Sequence, residues 1–182
     1  MSKKTSYSKN ELMKSAEGTL HDYDTGKLPL PPMLMVDRVL EIFDTGGKYN
    51  KGKILAELDI NQELWFFQCH FKEDPVMPGC LGLDGLWQLV GFYLTWIGGK
   101  GRGRALGVGD VKFKGQIRPY HTKIIYKIDI KRLLDRDGKL MVWADGTVST
   151  NNGIIYYARN LQVGLFNNLT YDFGGDPNQD SF

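Results

Sequence analysis

The sequence predicts an α+β fold in which an antiparallel sheet closes around one long buried helix. Three observations carry that prediction. From Cys80 to Gly99, "CLGLDGLWQLVGFYLTWIGG", Asp84 is the only charged residue. Apolar side chains fall there on every face at helical spacing, which marks a helix buried all round. In "KIIYKIDIK", Ile124, Tyr126, Ile128 and Ile130 alternate with Lys127, Asp129 and Lys131, the period of two of a half-buried strand. Asp137-Gly138 and Asn152-Gly153 then punctuate the later apolar runs, and such pairs accept the positive φ of tight hairpins.

The elements follow in order. Ser8 and Glu11 form an S-x-x-E capping box, which predicts a helix over 9–20. "GKLPLPPML" carries three prolines and reads as an extended crossing segment. Residues 34–43 and 51–60 read as strands around the Gly46-Gly47 turn. "ELWFFQCHF" reads as an aromatic strand ending near His70. The apolar helix has a membrane span as its rival, but Asp84, Gln88, Gly82, Gly85 and Gly91 disfavour an isolated span, and no second apolar segment exists. Past "KGRGR" come the strands "KIIYKIDIK", "LMVWADGTVS" and "IIYYARNLQVGLF". Residues 1–166 form a single domain on this reading, and 167–182 an irregular tail.

Composition narrows the class. A chain of 182 residues buries a sufficient core as one domain. Cys69 and Cys80 are its only cysteines, too few for a disulfide framework and without metal-type spacing. The polar start "MSKKTSYSKN" lacks the apolar run of a signal peptide, so a cytoplasmic location is expected. Net charge is +2, yet residues 100–139 hold 12 Lys and Arg against four Asp and Glu. A basic half suggests an anionic partner. Nucleic acid, a nucleotide phosphate and an acidic carrier protein all fit.

One constellation suggests chemistry. Asp84 and Gln88 lie four apart on one helix face, where an amide can orient a carboxyl group. Pro78 and Gly79 precede the helix, whose first N–H groups lack intrahelical acceptors and favour an anion or oxyanion. His70 is brought back toward that helix start by the Pro-containing loop. A base, an acid and an electrophilic hole thus fall within fifteen residues, although each also has a purely structural reading.

"HFKEDPVMPGCLGLDGLWQLVGFYL" and "GGKGRGRALGVGDVKFKGQI", with "IDIKR", "ADGTV" and "VGLF" further on, closely resemble the β-hydroxydecanoyl-acyl-carrier-protein dehydratase/isomerase family of bacterial type II fatty acid synthesis. The resemblance covers most of residues 8–166 and implies the hot-dog fold, a sheet wrapped around a long helix, and a homodimer. It implies that His70 and Asp84 are catalytic and come from opposite subunits. It further implies that Gly79 and Cys80 receive the thioester carbonyl on backbone N–H groups, with Gln88 and Val76 supporting. The related dehydratase-only branch usually has glutamate at the aspartate's place, so Asp84 favours the bifunctional branch. Gly85 departs from the family's usual alanine, which loosens a helix by about 1 kcal/mol.

The activity implied is dehydration of a 3-hydroxyacyl thioester to the trans-2-enoyl thioester, with isomerisation to the cis-3-enoyl product. An imidazole titrates close to working pH and suits proton removal from C2. An acid must carry its proton to donate it, and apolar walls favour the protonated form. Neither a metal nor an organic cofactor is required. The implied partner is acyl carrier protein, met by Lys100, Arg102 and Arg104, with no nucleic acid and no membrane span. The alternatives are a dehydratase without isomerase activity, a hot-dog acyl thioesterase, a Cys80 hydrolase and a non-catalytic acyl-binding module.

Overall fold

A computed structural model of the chain describes residues 3–22, 24–136 and 138–167. Among these, seven strands build one antiparallel sheet: β1 (Arg38–Phe43), β2 (Lys53–Asp59), β3 (Arg102–Gly107), β4 (Asp110–Phe113), β5 (Lys123–Arg136), β6 (Lys139–Thr150) and β7 (Gly153–Phe166). Their order is β1-β2-β5-β6-β7-β3, with β4 also paired to β7. Helix α2 (Gly79–Trp96) packs against β7, β6, β5 and β3, so the sheet curls around it as expected.

The alternation read in the sequence positions β5. Ile124, Tyr126, Ile128 and Ile130 are at most 1% exposed, while Lys123 and Lys127 face solvent. Each isoleucine so buried contributes about 1.5–3 kcal/mol relative to exposure. The β5–β6 hairpin closes where Arg136 pairs with Lys139, and Gly138 takes φ +72°. The β6–β7 turn lies one residue earlier than expected, because Gly153 pairs with Thr150 and leaves Asn151-Asn152 as the loop.

Three other boundaries differ. Helix α1 (Lys9–Glu17) stops before residue 20. Gly18 adopts φ +79° and donates to the Ser15 carbonyl, while Thr19 and Leu20 both donate to that of Lys14. This left-handed cap satisfies the last carbonyls and ends the helix. Its start is as read, with the Glu11 carboxylate accepting from Ser8 N–H and Oγ at 3.0 Å each. The aromatic stretch before His70 is a 3₁₀ turn (Trp65–Gln68), not a strand. Phe66 and Phe67 are both buried between the exposed Trp65 and Gln68, which breaks the in-out alternation of a half-buried strand. The N–H groups of Phe67 and His70 close locally on Leu64 and Phe66. Strand β1 starts at Arg38 rather than 34, since Met33 and Met35 give their backbone groups to Gln88.

Glycine brings α2 close to the sheet. A Cβ on Gly82 would lie 2.2 Å from the Tyr156 ring, and one on Gly85 2.6 Å from the Tyr126 hydroxyl. Gly85, read from sequence as a loosening substitution, is where the helix touches a fully buried tyrosine. No helix of the described residues is long and apolar enough to cross a membrane. Residues 168–182 of the expected tail lie outside the described residues.

Candidate active site

The stretch from the 3₁₀ turn to α2 positions His70. Its Nδ1 lies 2.9 Å from the Val76 carbonyl, and its own carbonyl accepts from Val76 N–H at 2.7 Å. A carbonyl only accepts, so Nδ1 carries the proton in the neutral ring and Nε2 is left as the basic atom. Val76, expected only as a supporting residue, therefore sets the tautomer. His70 lines a cavity of about 710 Å³ together with Gly79, Cys80, Leu83, Phe113 and Tyr156.

The first turn of α2 opens on the same cavity. Pro78 is its N-cap and supplies no side-chain cap, and no acidic residue occupies the first turn. Leu81 N–H closes on the Pro78 carbonyl at 3.0 Å, while the N–H groups of Gly79 and Cys80 have no preceding turn to accept them and carry partial positive charge. Phe113, which the sequence reading missed, stands against this site from β4. A Cβ on Gly79 would lie 2.7 Å from its ring. Only a tertiary contact singles Phe113 out, because in sequence it is one more apolar strand residue. Tyr156 meets the Phe113 ring edge to face at 4.9 Å. Burial, with Cys80 adding, pushes the Tyr156 phenol up to about 12.

Asp84 is half-buried one turn further along α2. Gln88 Nε2 donates to its Oδ2 at 2.6 Å and to the Met33 carbonyl at 2.8 Å, while Gln88 Oε1 accepts from Met35 N–H at 2.9 Å. The backbone partners fix which end of the amide is nitrogen, so Oδ2 of Asp84 is held as an acceptor. The irregular prolyl segment supplies those partners because its backbone groups are not spent on a sheet.

His70 and Asp84 open on different cavities of the chain. Asp84 lines a second cavity, of about 220 Å³, with Trp87, Gln88, Gly91, Thr95 and residues of β3 and β7. The two cavities share no lining residue among those described. Of the expected basic contacts, Lys100 is ion-paired with Asp24 at 3.0 Å, Arg102 is exposed, and Arg104 lines both the Asp84 cavity and a neighbouring depression with Arg102 and Lys27.

The model of the FabA-like domain matches residues 28–159. The chain belongs to that family. Among solved structures, this FabA-like chain is similar to the dehydratase heterocomplex ApeI:P from Xenorhabdus doucetiae, at 16% identity and TM-score 0.56 over 75% of this chain and 85% of that one. It is also similar to a hypothetical thioesterase with coenzyme A from Streptococcus pneumoniae TIGR4, at 9% identity and TM-score 0.50 over 70% and 83% of the two chains. At such identities the likeness is one of fold, and that fold is the hot dog.

Proposed function

We propose that this FabA-like protein dehydrates 3-hydroxyacyl thioesters carried by acyl carrier protein to trans-2-enoyl thioesters, and isomerises the product to the cis-3-enoyl form. The observation that carries the reading is the pair of orienting hydrogen bonds. Val76 leaves His70 Nε2 as the base, and Gln88 holds one oxygen of Asp84 as an acceptor, so that a proton on the other oxygen is the one to give. Family membership makes the thioester the class of substrate to test.

In this mechanism His70 Nε2 takes a proton from C2, and negative charge grows on the thioester oxygen. The N–H groups at Gly79 and Cys80 stabilise that oxygen, the largest single term in many such reactions. Asp84 of the partner subunit gives its proton to the 3-hydroxyl, the C3–O bond breaks, and water leaves. Isomerisation reuses the same base and hole, with a proton removed from C4 and one returned to C2 through a dienolate. The cavity beside Asp84 receives the acyl chain. An acidic carrier docks against the rim of Lys100, Arg102 and Arg104.

The test is incubation with 3-hydroxydecanoyl carrier protein, with the position of the double bond in the product assigned by NMR. An intact enoyl thioester supports the reading. A trans-2 product alone leaves dehydration without isomerisation, and a free thiol identifies a thioesterase instead. Replacing His70 or Asp84 by asparagine lowers dehydration by at least ~100-fold, the usual worth of a positioned base or acid. Unchanged turnover in both variants would remove them from the chemistry.

A further inference from the structure

Val76 joins two peptide planes, and His70 holds one group of each. The Pro75–Val76 plane carries the Val76 N–H, which donates to the His70 carbonyl at 2.7 Å. The Val76–Met77 plane carries the Val76 carbonyl, which meets His70 Nδ1 at 2.9 Å. A trans peptide unit is planar, with its N–H and carbonyl pointing opposite ways, so the two turn together. Whatever grips the far side of each plane therefore aims the side that His70 uses.

Both far sides are gripped from the segment between β4 and β5. Met77 N–H donates to the carbonyl of the buried Ile117 at 2.9 Å. The Pro75 carbonyl accepts from a terminal guanidinium nitrogen of Arg118 at 3.2 Å, and the same nitrogen donates to the Asp74 carboxylate. Asp74 closes the loop on itself by exchanging backbone hydrogen bonds with Phe71 at 2.9 and 3.1 Å. One clamp is backbone, and the other is a single side chain.

That side chain is itself held. Arg118 Nε donates to Gln116 Oε1 at 2.9 Å, and the Arg118 backbone N–H donates to His121 Nδ1 at 2.9 Å. His121 N–H returns to the Arg118 carbonyl at 3.1 Å. Pro119 takes the second position of this four-residue turn, where its fixed φ suits the bend. His121 is 5% exposed, so the turn is rooted in the interior. The Asp74 side chain is 61% exposed, and an ion pair so open to solvent adds little to stability. Its effect is on where the loop lies.

Resting on the dehydratase reading, we propose that Arg118 is a positioning residue for the base. Its guanidinium fixes the Pro75–Val76 peptide, and through Val76 the carbonyl that keeps the His70 proton on Nδ1. Without it the loop keeps only the Ile117 clamp, and the imidazole turns and exchanges tautomers more freely. Arg118 lies outside the lining of the His70 cavity, so its influence reaches the substrate only through the ring.

The experiment compares the wild type with Arg118→Ala and Arg118→Lys by two readouts. The first is the imidazole nitrogen NMR spectrum of protein carrying isotopically labelled histidine. The chain has three histidines, and His70→Asn identifies the signals of His70. At a pH where the ring is neutral, the wild type shows one protonated and one bare nitrogen, and in Arg118→Ala the two signals move toward each other. The second readout is turnover of 3-hydroxydecanoyl carrier protein. In Arg118→Ala kcat falls by at least ~10-fold, inside the ~100-fold that a misplacement of about 1 Å can cost. KM stays within about 2-fold, the split of an interaction that acts in the transition state alone. Lysine keeps the charge without the fork of donors, so Arg118→Lys falls between, and it carries the comparison if the alanine variant does not fold. His70 signals that stay apart in the variants overturn the clamp, whether or not kcat falls. Merged signals with unchanged kcat overturn it as a device for positioning the base. A wild type that turns over no 3-hydroxyacyl thioester overturns the dehydratase reading instead, and the nitrogen signals then still decide whether Arg118 orients the ring.

Discussion

Gln88 has no reactive group, yet it decides what Asp84 presents. Its amide is held by Met33 and Met35 before it ever reaches the carboxylate, so the acid is oriented by backbone rather than by another mobile side chain. Val76 does the same for His70. His21 is a third group defined by its surroundings. It packs against Tyr7 and Phe92, at 6.4 and 6.0 Å between ring centroids, and its buried Nε2 has no hydrogen-bond partner among the described residues. Burial lowers its pKa from 6.5, against a smaller opposing pull from Asp22. The folded form therefore binds this proton less readily than the unfolded chain. The stability tied to neutral His21 is whole above pH 6.5 and is lost as pH falls from there through the lowered folded value. Urea midpoints of the wild type should drop over that interval more steeply than those of His21→Gln. Parallel curves would show that this imidazole pays no penalty on charging.

Within α2 the same residue type performs opposite tasks. At Gly82 a methyl would drive into the Tyr156 ring, and overpacking of this kind costs about 1–3 kcal/mol. At Gly91 a methyl meets only ordinary contact, and alanine is the better helix former by about 1 kcal/mol. Gly82→Ala should therefore destabilise and Gly91→Ala stabilise in urea unfolding, and two shifts of the same sign would contradict the packing described. This contrast also locates the limit of the sequence reading. Helix α2, the alternation of β5 and the capping box at Ser8 are local patterns, and each was legible. The pattern of α1 runs on to residue 20, but Gly18 ends the helix through a left-handed φ that side-chain spacing does not record. The turn before His70 was missed because aromatic richness signals strand unless burial is known. His70, Asp84 and Gln88 could be picked out by chemistry and spacing, and Gly79 and Cys80 by their place at a helix start. Phe113 could not, since its role arises from contact with a residue 34 positions away.

At the scale of the whole molecule, the sheet is finished on one side and open on the other. Along β1 the N-terminal segment covers the edge, with Tyr7 exchanging hydrogen bonds with Val39 and Ile42 donating to Thr5. Along β3 no strand pairs on the outer side among the described residues. An open edge of this kind invites another chain. The edge also walls the cavity that Asp84 lines, while His70 opens on a different cavity of the same chain. The shared site proposed above requires a two-fold pairing of two copies, for which the open β3 edge beside the Asp84 cavity is the candidate surface. Mixing His70→Asn with Asp84→Asn tests it. Every mixed dimer then contains one site built from two intact residues and one built from two damaged ones. With free exchange half the dimers are mixed, so about a quarter of wild-type dehydration should return. Exchange is verified by recovering differently tagged subunits together. Activity that stays at the level of the separate variants after verified exchange would mean that each chain works alone, and the acid and base would have to be sought within a single copy.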